Sequence, residues 1–215
     1  MIDLHIHSLF SDGELFPAEI VRRLEEMGYV CVAITDHVDS SNLDFVIPRL
    51  VAVAADLNES QAVKVIPGAE ITHMPPKLID SSVTKARELG ARIVLVHGET
   101  IVEPVAKGTN REAILSGVDI LAHPGLLSVE DCKLAADRGV YLEITARQGH
   151  CLANGRVAGL ARDCGAKLVL NSDAHSPHDF MTRQFANMVA QGTGLGGNAF
   201  EEMLGNSRDL IEKLL

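Results

Sequence analysis

Seven short apolar runs punctuate the first 175 residues, at 2–6, 30–34, 63–66, 93–96, 118–122, 140–144 and 168–170. Each has strand length and is nearly continuous instead of alternating, the pattern of a strand buried on both faces. Segments with helical periodicity lie between them. In 14–27, Ile20, Val21, Leu24 and Met27 share one face, while Arg22, Arg23, Glu25 and Glu26 share the other. A glycine suited to a left-handed helix end closes several such segments just before the next apolar run: Gly28, Gly90, Gly117, Gly139 and Gly165. Repeated strand–helix units build a parallel sheet, closed as a barrel or open and doubly wound; seven of them favour a barrel one unit short of eight.

After residue 170 the pattern weakens to a helix near 178–190, a glycine cluster at 192–197 and a last helix over 199–215. No linker separates this tail, so the expectation is one barrel domain over 1–215, with C-terminal helices from about 178 packed on it. The cluster formally matches GxGxxG. It follows a helix instead of a strand, however, and therefore reads as a helix–helix turn and not as a nucleotide loop.

Composition then narrows the classes. A chain of 215 residues with 47% hydrophobic positions can bury one sizeable core. Its 19 basic and 29 acidic residues give a net charge of −10, there is no tryptophan, and aromatics make up only 4%. These figures argue against a groove for extended nucleic acid, which needs basic residues or stacking rings. No apolar run reaches 18 residues and no leader-like start is present, so a cytoplasmic protein without a membrane partner is expected. Cys31, Cys132, Cys151 and Cys164 form no CxxC pair and read as ordinary thiols. Nothing in the sequence fixes an oligomeric state.

The histidines change the picture most. Parallel β/α folds gather their chemistry at the carboxyl ends of strands. Six of the nine histidines stand at such ends: His5, His7, His37, His97, His123 and His175. Glu70 and Asp173 end two runs, and Glu143 lies in a third. Residues i and i+2 on a strand project to one side, so His5 and His7 can converge on one ion, and Asp173 and His175 repeat that spacing. Mixed imidazole and carboxylate donors suit Zn²⁺, Mn²⁺ or Fe²⁺ better than Mg²⁺ or Ca²⁺.

The ordered segments 3–8 with 11–13, 34–37, 67–70, 97–99, 122–125 and 171–175 resemble the PHP superfamily, the polymerase and histidinol phosphatase group of metal-dependent phosphoesterases. Segments 70–76, 97–100, 108–110 and 142–145 are similar to stand-alone histidinol phosphatase-like proteins. The resemblance implies a distorted seven-unit (β/α)7 TIM-like barrel with two to three divalent transition metal ions, Zn, Mn or Fe. It implies that His5, His7, Glu70 and Asp173 hold the first ion, that Glu70 bridges to a second completed by His97 and His123, and that Asp12, His37 and His175 hold a third. Asp12 stands where many relatives carry histidine, which weakens the third site or shifts its preference toward Mn²⁺ or Fe²⁺.

The implied activity is hydrolysis of a small phosphomonoester, histidinol phosphate or similar, by a metal-bound hydroxide, with Glu70 and Asp173 at the catalytic centre. Three divalent ions against Asp12, Glu70 and Asp173 leave a net charge of about +3, which suits a phosphate dianion. No GxSxG, GxxxxGK[ST] or HExxH motif offers a different route. The alternatives are a nuclease or nucleotide phosphatase of the same superfamily and, more remotely, a scaffold subunit of the ribonuclease P type, which the acidic charge and complete donor set oppose. Arg147 is the candidate to fork onto phosphate oxygens, with Lys107 and Arg183 behind it. His150 and His178 are candidate proton donors, His73 a candidate supporting group, and Asp36, Glu99 and Glu143 candidate orienters of the imidazoles.

Overall fold

In a computed structural model, which describes residues 1–214, all seven apolar runs form parallel strands. The chain order is β1 (Ile2–Asp3), α1 (Pro17–Glu26), β2 (Cys31–Ile34), β3 (His37–Val38), α2 (Leu43–Ser60), β4 (Lys64–Ile71), α3 (Pro76–Glu88), β5 (Ile93–His97) and α4 (Thr109–Leu115). It continues with β6 (Ile120–Ala122), α5 (Val129–Arg138), β7 (Tyr141–Thr145), α6 (Asn154–Cys164), β8 (Leu168–Asn171), α7 (Arg183–Gly192) and α8 (Ala199–Leu214). The main ladder runs β1-β2-β4-β5-β6-β7-β8. Helices outside and side chains inside leave Ile93, Val94 and Leu95 with no exposure, so each contributes about 1.5–3 kcal/mol of hydrophobic stabilisation.

The barrel closes at a seam where regular pairing gives way to side chains. The first run was expected over 2–6, yet only Ile2 and Asp3 keep strand geometry, with one further bridge between Ile6 and Ala174. Between these points Asn171 Oδ1 accepts from the Leu4 N–H at 2.9 Å, and the Asp3 carboxylate accepts from the Ser172 N–H at 3.2 Å. Polar side chains replace ladder bonds there, and α8 packs over β8 and β1. The result is a nearly closed seven-strand α/β barrel of the TIM-like kind.

One strand was missed. β3 continues β2 after a break at Thr35 and Asp36 and pairs with the outer half of β4, placing His37 level with Glu70. All five helix-end glycines take the expected positive φ, from 68° at Gly139 to 102° at Gly90. Two helix boundaries differ from expectation. Met27 lies beyond α1 and is 37% exposed, since the helix ends at Glu26. The helix expected at 178–190 begins at Arg183, because residues 177–179 form a separate 3-10 turn capped by Ser176 and Asp179, and Thr182 then caps α7 through the Phe185 N–H.

Candidate metal centre

Buried polar atoms collect at the carboxyl ends of the strands. Ile6 points into the core with no exposure, so His5 and His7 on either side of it face the barrel mouth together, their ring centroids 5.0 Å apart. His5 Nε2 lies 3.4 Å from Glu70 Oε2 and 3.6 Å from Asp173 Oδ1; His7 Nε2 lies 3.6 Å and 3.2 Å from the same atoms. His123 Nε2 is 3.5 Å from Glu70 Oε1 and 3.5 Å from Asp173 Oδ2. The two Glu70 oxygens thus face different imidazoles. Nearer the surface, Asp12 Oδ1 lies 3.6 Å from His37 Nε2 and 3.3 Å from His175 Nε2. Asp173 and His175 share the expected side but serve different groups, the buried and the shallow one respectively.

The nitrogen facing away from each group behaves differently. His5 Nδ1 is 2.8 Å from Glu143 Oε1 and His175 Nδ1 is 3.0 Å from the Asp173 carbonyl, whereas His37 Nδ1 lies 2.7 Å from both Thr72 Oγ1 and Glu70 Oε2, so this ring links the shallow group to the buried one. These are hydrogen bonds that fix the ring and leave the Nε2 lone pair pointing inward. Apart from the His37–Glu70 pair, inward contacts span 3.2–3.6 Å in the buried and shallow groups. Donors about 2.1 Å from a metal sit about 3.0 Å apart at right angles and about 3.4 Å apart at the tetrahedral angle, and these contacts run from within that span to slightly beyond its upper end. Moreover His5 Nε2, both His7 nitrogens and Glu70 Oε1 are buried with no hydrogen-bond partner among the described residues, while Glu70 Oε2 is met by His37 Nδ1 at 2.7 Å. Orphaned buried atoms are costly unless something binds them, and neutral imidazoles with carboxylates are the donors a divalent transition metal takes. The residues present fit such ions.

Electrostatics follows from the same crowding. Burial alone would push the His5 imidazole down, but Glu143, Glu70 and Asp173 outweigh it and hold its pKa well above the usual range. Burial would likewise raise Glu70, and His5 and His37 reverse it to well below the carboxylate range. At Asp173 burial wins over His5 and His123, and the pKa rises. Burial drives His97 down to about 3 and, together with the charge of His123, also drives His150 down to about 3. Backbone strain marks the same rim: His123 and Asp173 have φ of 26° and 54°, values non-glycine residues adopt only where their surroundings force them.

All nine of the expected ligand residues, His5, His7, Asp12, His37, Glu70, His97, His123, Asp173 and His175, lie in groups of converging donor atoms, although His97 converges with His123 and His150 and with His73 and Glu103 and not with Glu70. Among the other candidates, Glu143 orients His5 as expected and also accepts from the His123 N–H at 3.1 Å. Asp36 and Glu99 do not orient imidazoles. Asp36 binds Ser8 and Ser11 and so ties down the loop after β1, whereas Glu99 accepts from the N–H groups of Gly108 and Asn110 at the start of α4. Arg147 reaches the rim, held 3.3 Å from Asp179 Oδ2, and lines a small recess of about 70 Å³ with Asp12, His97 and His175. His178 is exposed in the 3-10 turn, Lys107 is exposed in its loop, and Arg183 pairs with Glu201 away from the site. Glu103, which no sequence signal singled out, meets His73, His97 and His150 on the loop after β5.

A barrel of parallel strands with imidazoles and carboxylates at its mouth defines a class of metal-binding protein, and comparison with known proteins places the chain within it. The PHP domain family model matches residues 3–108, a span that contains His5, His7, Asp12, His37, Glu70 and His97. The chain belongs to the PHP domain family. Over 215 residues it is 43% identical to the uncharacterized protein MJ1295 of Methanocaldococcus jannaschii, covering 99% of each chain. It is 26% identical over 194 residues to the DNA polymerase/3'-5' exonuclease PolX of Bacillus subtilis, a match spanning 81% of this chain and 34% of that protein. Its fold resembles the crystal structure of hisK from Listeria monocytogenes, with a TM-score of 0.61, 13% identity, and coverage of 84% of this chain and 97% of that one.

Proposed function

We propose that this protein is a metal-dependent phosphoesterase that hydrolyses small phosphomonoesters. The observation that carries the reading is the set of buried Nε2 and carboxylate oxygen atoms converging without hydrogen-bond partners on the barrel mouth. His5, His7, Glu70 and Asp173 would hold one ion, Glu70, His97 and His123 a second, and Asp12, His37 and His175 a third, with Zn, Mn and Fe as the candidates. When bound, such ions supply the Lewis-acid charge that phosphoester hydrolysis needs.

The chain's own residues do the positioning. Glu70 offers its two oxygens to different imidazoles, so it ties two of the donor sets into one centre. Glu143 fixes the His5 ring through Nδ1 and so directs Nε2 toward the other donors. Arg147, beside the recess, would grip phosphate oxygens with its planar fork. A cleft of about 480 Å³ opens beside His37, His97 and Asp12, lined by Asp39, Ser41, Asn42 and Thr72, a volume suited to a small polar molecule. Among the described residues no lysine or arginine lines it, in keeping with a compact phosphomonoester and against a long polyanion.

The test is hydrolysis of an aryl phosphate and a panel of sugar, amino-alcohol and nucleotide monophosphates by metal-loaded protein. Chelation abolishes turnover and Mn²⁺ or Zn²⁺ restores it, with kcat/KM for the best monoester above that for single-stranded oligonucleotides. Chelator-resistant turnover would remove the metal mechanism. Faster digestion of oligonucleotides than of every monoester would promote a nuclease instead.

A further inference from the structure

The loop between β5 and α4 carries a carboxylate into the centre, and its base is built to hold it there. Glu99 Oε1 accepts from the N–H groups of Gly108 and Asn110 at 2.9 and 3.0 Å, and Asn110 Oδ1 accepts in return from the Glu99 N–H at 2.9 Å. The Asn110 amide also donates to the Pro124 carbonyl at 2.8 Å, fastening the loop to the one after β6. Gly125 completes that junction, since a Cβ there would lie 1.9 Å from the Glu99 carbonyl oxygen. Further along, Val102 rests against Gly149, where a Cβ would meet its side chain at 3.4 Å. Glu103 follows and turns toward the histidines.

Its oxygens make three contacts of one kind. Oε2 lies 3.1 Å from His97 Nε2 and 3.3 Å from His73 Nε2, and Oε1 lies 3.4 Å from His150 Nε2. These lengths fall within the about 3.0–3.4 Å expected between neighbouring donors on one ion. His150 is buried and its Nδ1 has no partner. His97, His123 and His150 offer donor atoms to one point, and so do His73, His97 and Glu103. His97 belongs to both triads, yet its Nδ1 faces the Gly98 carbonyl at 3.2 Å, leaving the single Nε2 lone pair for one ion. The two triads therefore describe one site.

We infer that Glu103 and His150 are additional ligands of the second metal position, supplied by two loops to the strand-end set of Glu70, His97 and His123, while His73 steadies the Glu103 carboxylate. The inference rests on the metal centre proposed above. His73 itself has a φ of 52°, so the backbone is held in an unfavourable region where its ring meets this carboxylate. The loop anchor then has a purpose: it sets an exposed loop to deliver a ligand to a fixed position.

The experiment is competition titration of the intact chain with Zn²⁺ against a chromophoric chelator, together with the visible absorption of Co²⁺-loaded protein. Glu103→Gln and His150→Gln each weaken one equivalent at least tenfold, leave the others unchanged, and alter the Co²⁺ ligand-field bands of that equivalent alone. Val102→Ala, which alters the loop's packing but removes no donor, keeps the parent titration. Parent affinities and spectra in both Gln variants would overturn the inference while leaving the metal centre intact. A parent chain that binds less than one equivalent would instead remove the centre, and this inference with it.

Discussion

Glu70 and Asp12 are both carboxylates set between imidazoles, and they occupy opposite surroundings. Glu70 has no exposure and is enclosed by His5, His7, His37 and His123; the Asp12 side chain is 60% exposed and its near contacts are His37 and His175. Burying an isolated carboxylate costs several kcal/mol, so Glu70 persists as a charge only because opposing charge surrounds it. Asp12 keeps much of its hydration, and its pull on the imidazoles is screened. The deep group is thus committed to holding cations, whereas the shallow group can gain or lose one at little cost to the fold.

Glu70→Gln tests the deep side and carries the largest expected effect. The amide keeps the shape but removes the negative charge and one of the two oxygens that Glu70 would offer to the ions. At least one equivalent of metal is lost and kcat falls on the order of 10³-fold, as when one charge-stabilising group is taken from a buried site. Elemental analysis beside the kinetics checks it. Full metal content with near-parent turnover would show that Glu70 is not the bridging group.

Glu143→Gln comes next. This residue is also fully buried but orients donors instead of being one, through His5 Nδ1, the His123 N–H and the Asn171 amide. Second-layer partners of this kind typically change metal affinity by about 10–100-fold. A titration that finds affinity within about twofold of the parent would mean that packing alone sets the His5 ring.

The shallow side responds less. Asp12→Asn weakens one equivalent by about tenfold or less and leaves the deep ions in place, because a hydrated carboxylate is cheaper to replace than a buried one. Loss of metal equal to that in Glu70→Gln would erase the distinction between the groups.

How far the sequence revealed this division depends on the element. Strands β2, β4 and β5 were legible because burial on both faces leaves continuous apolar runs; six histidines with Glu70 and Asp173 stood out where runs stop, whereas Asp12 and the division into three sets came only from the family resemblance. Glu143 was distinguishable from Asp36 and Glu99 only in three dimensions. All three are acidic residues near a strand end, but Asp36 is captured by the serines of one loop and Glu99 by the backbone of another. Glu103 gave no signal at all: a lone acidic residue in an irregular segment has no periodicity, and its position follows from the Glu99–Asn110 anchor. The seam was obscured for a related reason, since Asp3 and Asn171 act through side chains where a strand would use its backbone.

Arg147 sharpens the comparison at its outer edge, where the smallest effect is expected. It is 31% exposed on its side chain and held by Asp179 at 3.3 Å, a pair at the water boundary that costs little to open. The same Asp179 oxygen also accepts from the N–H groups of His175 and Ser176, so the carboxylate remains satisfied if the guanidinium turns toward a phosphate. Such a group grips phosphate similarly before and during the reaction. Uniform binding of this kind lowers KM without raising kcat. Arg147→Ala therefore raises KM for an aryl phosphate by about tenfold, in line with the loss of one charge-assisted contact, while kcat stays within about twofold. Metal content is unchanged, since no donor is removed. A large fall in kcat at constant KM would move Arg147 from the rim into the transition-state machinery, and unchanged kinetics would return it to an ordinary surface ion pair with Asp179.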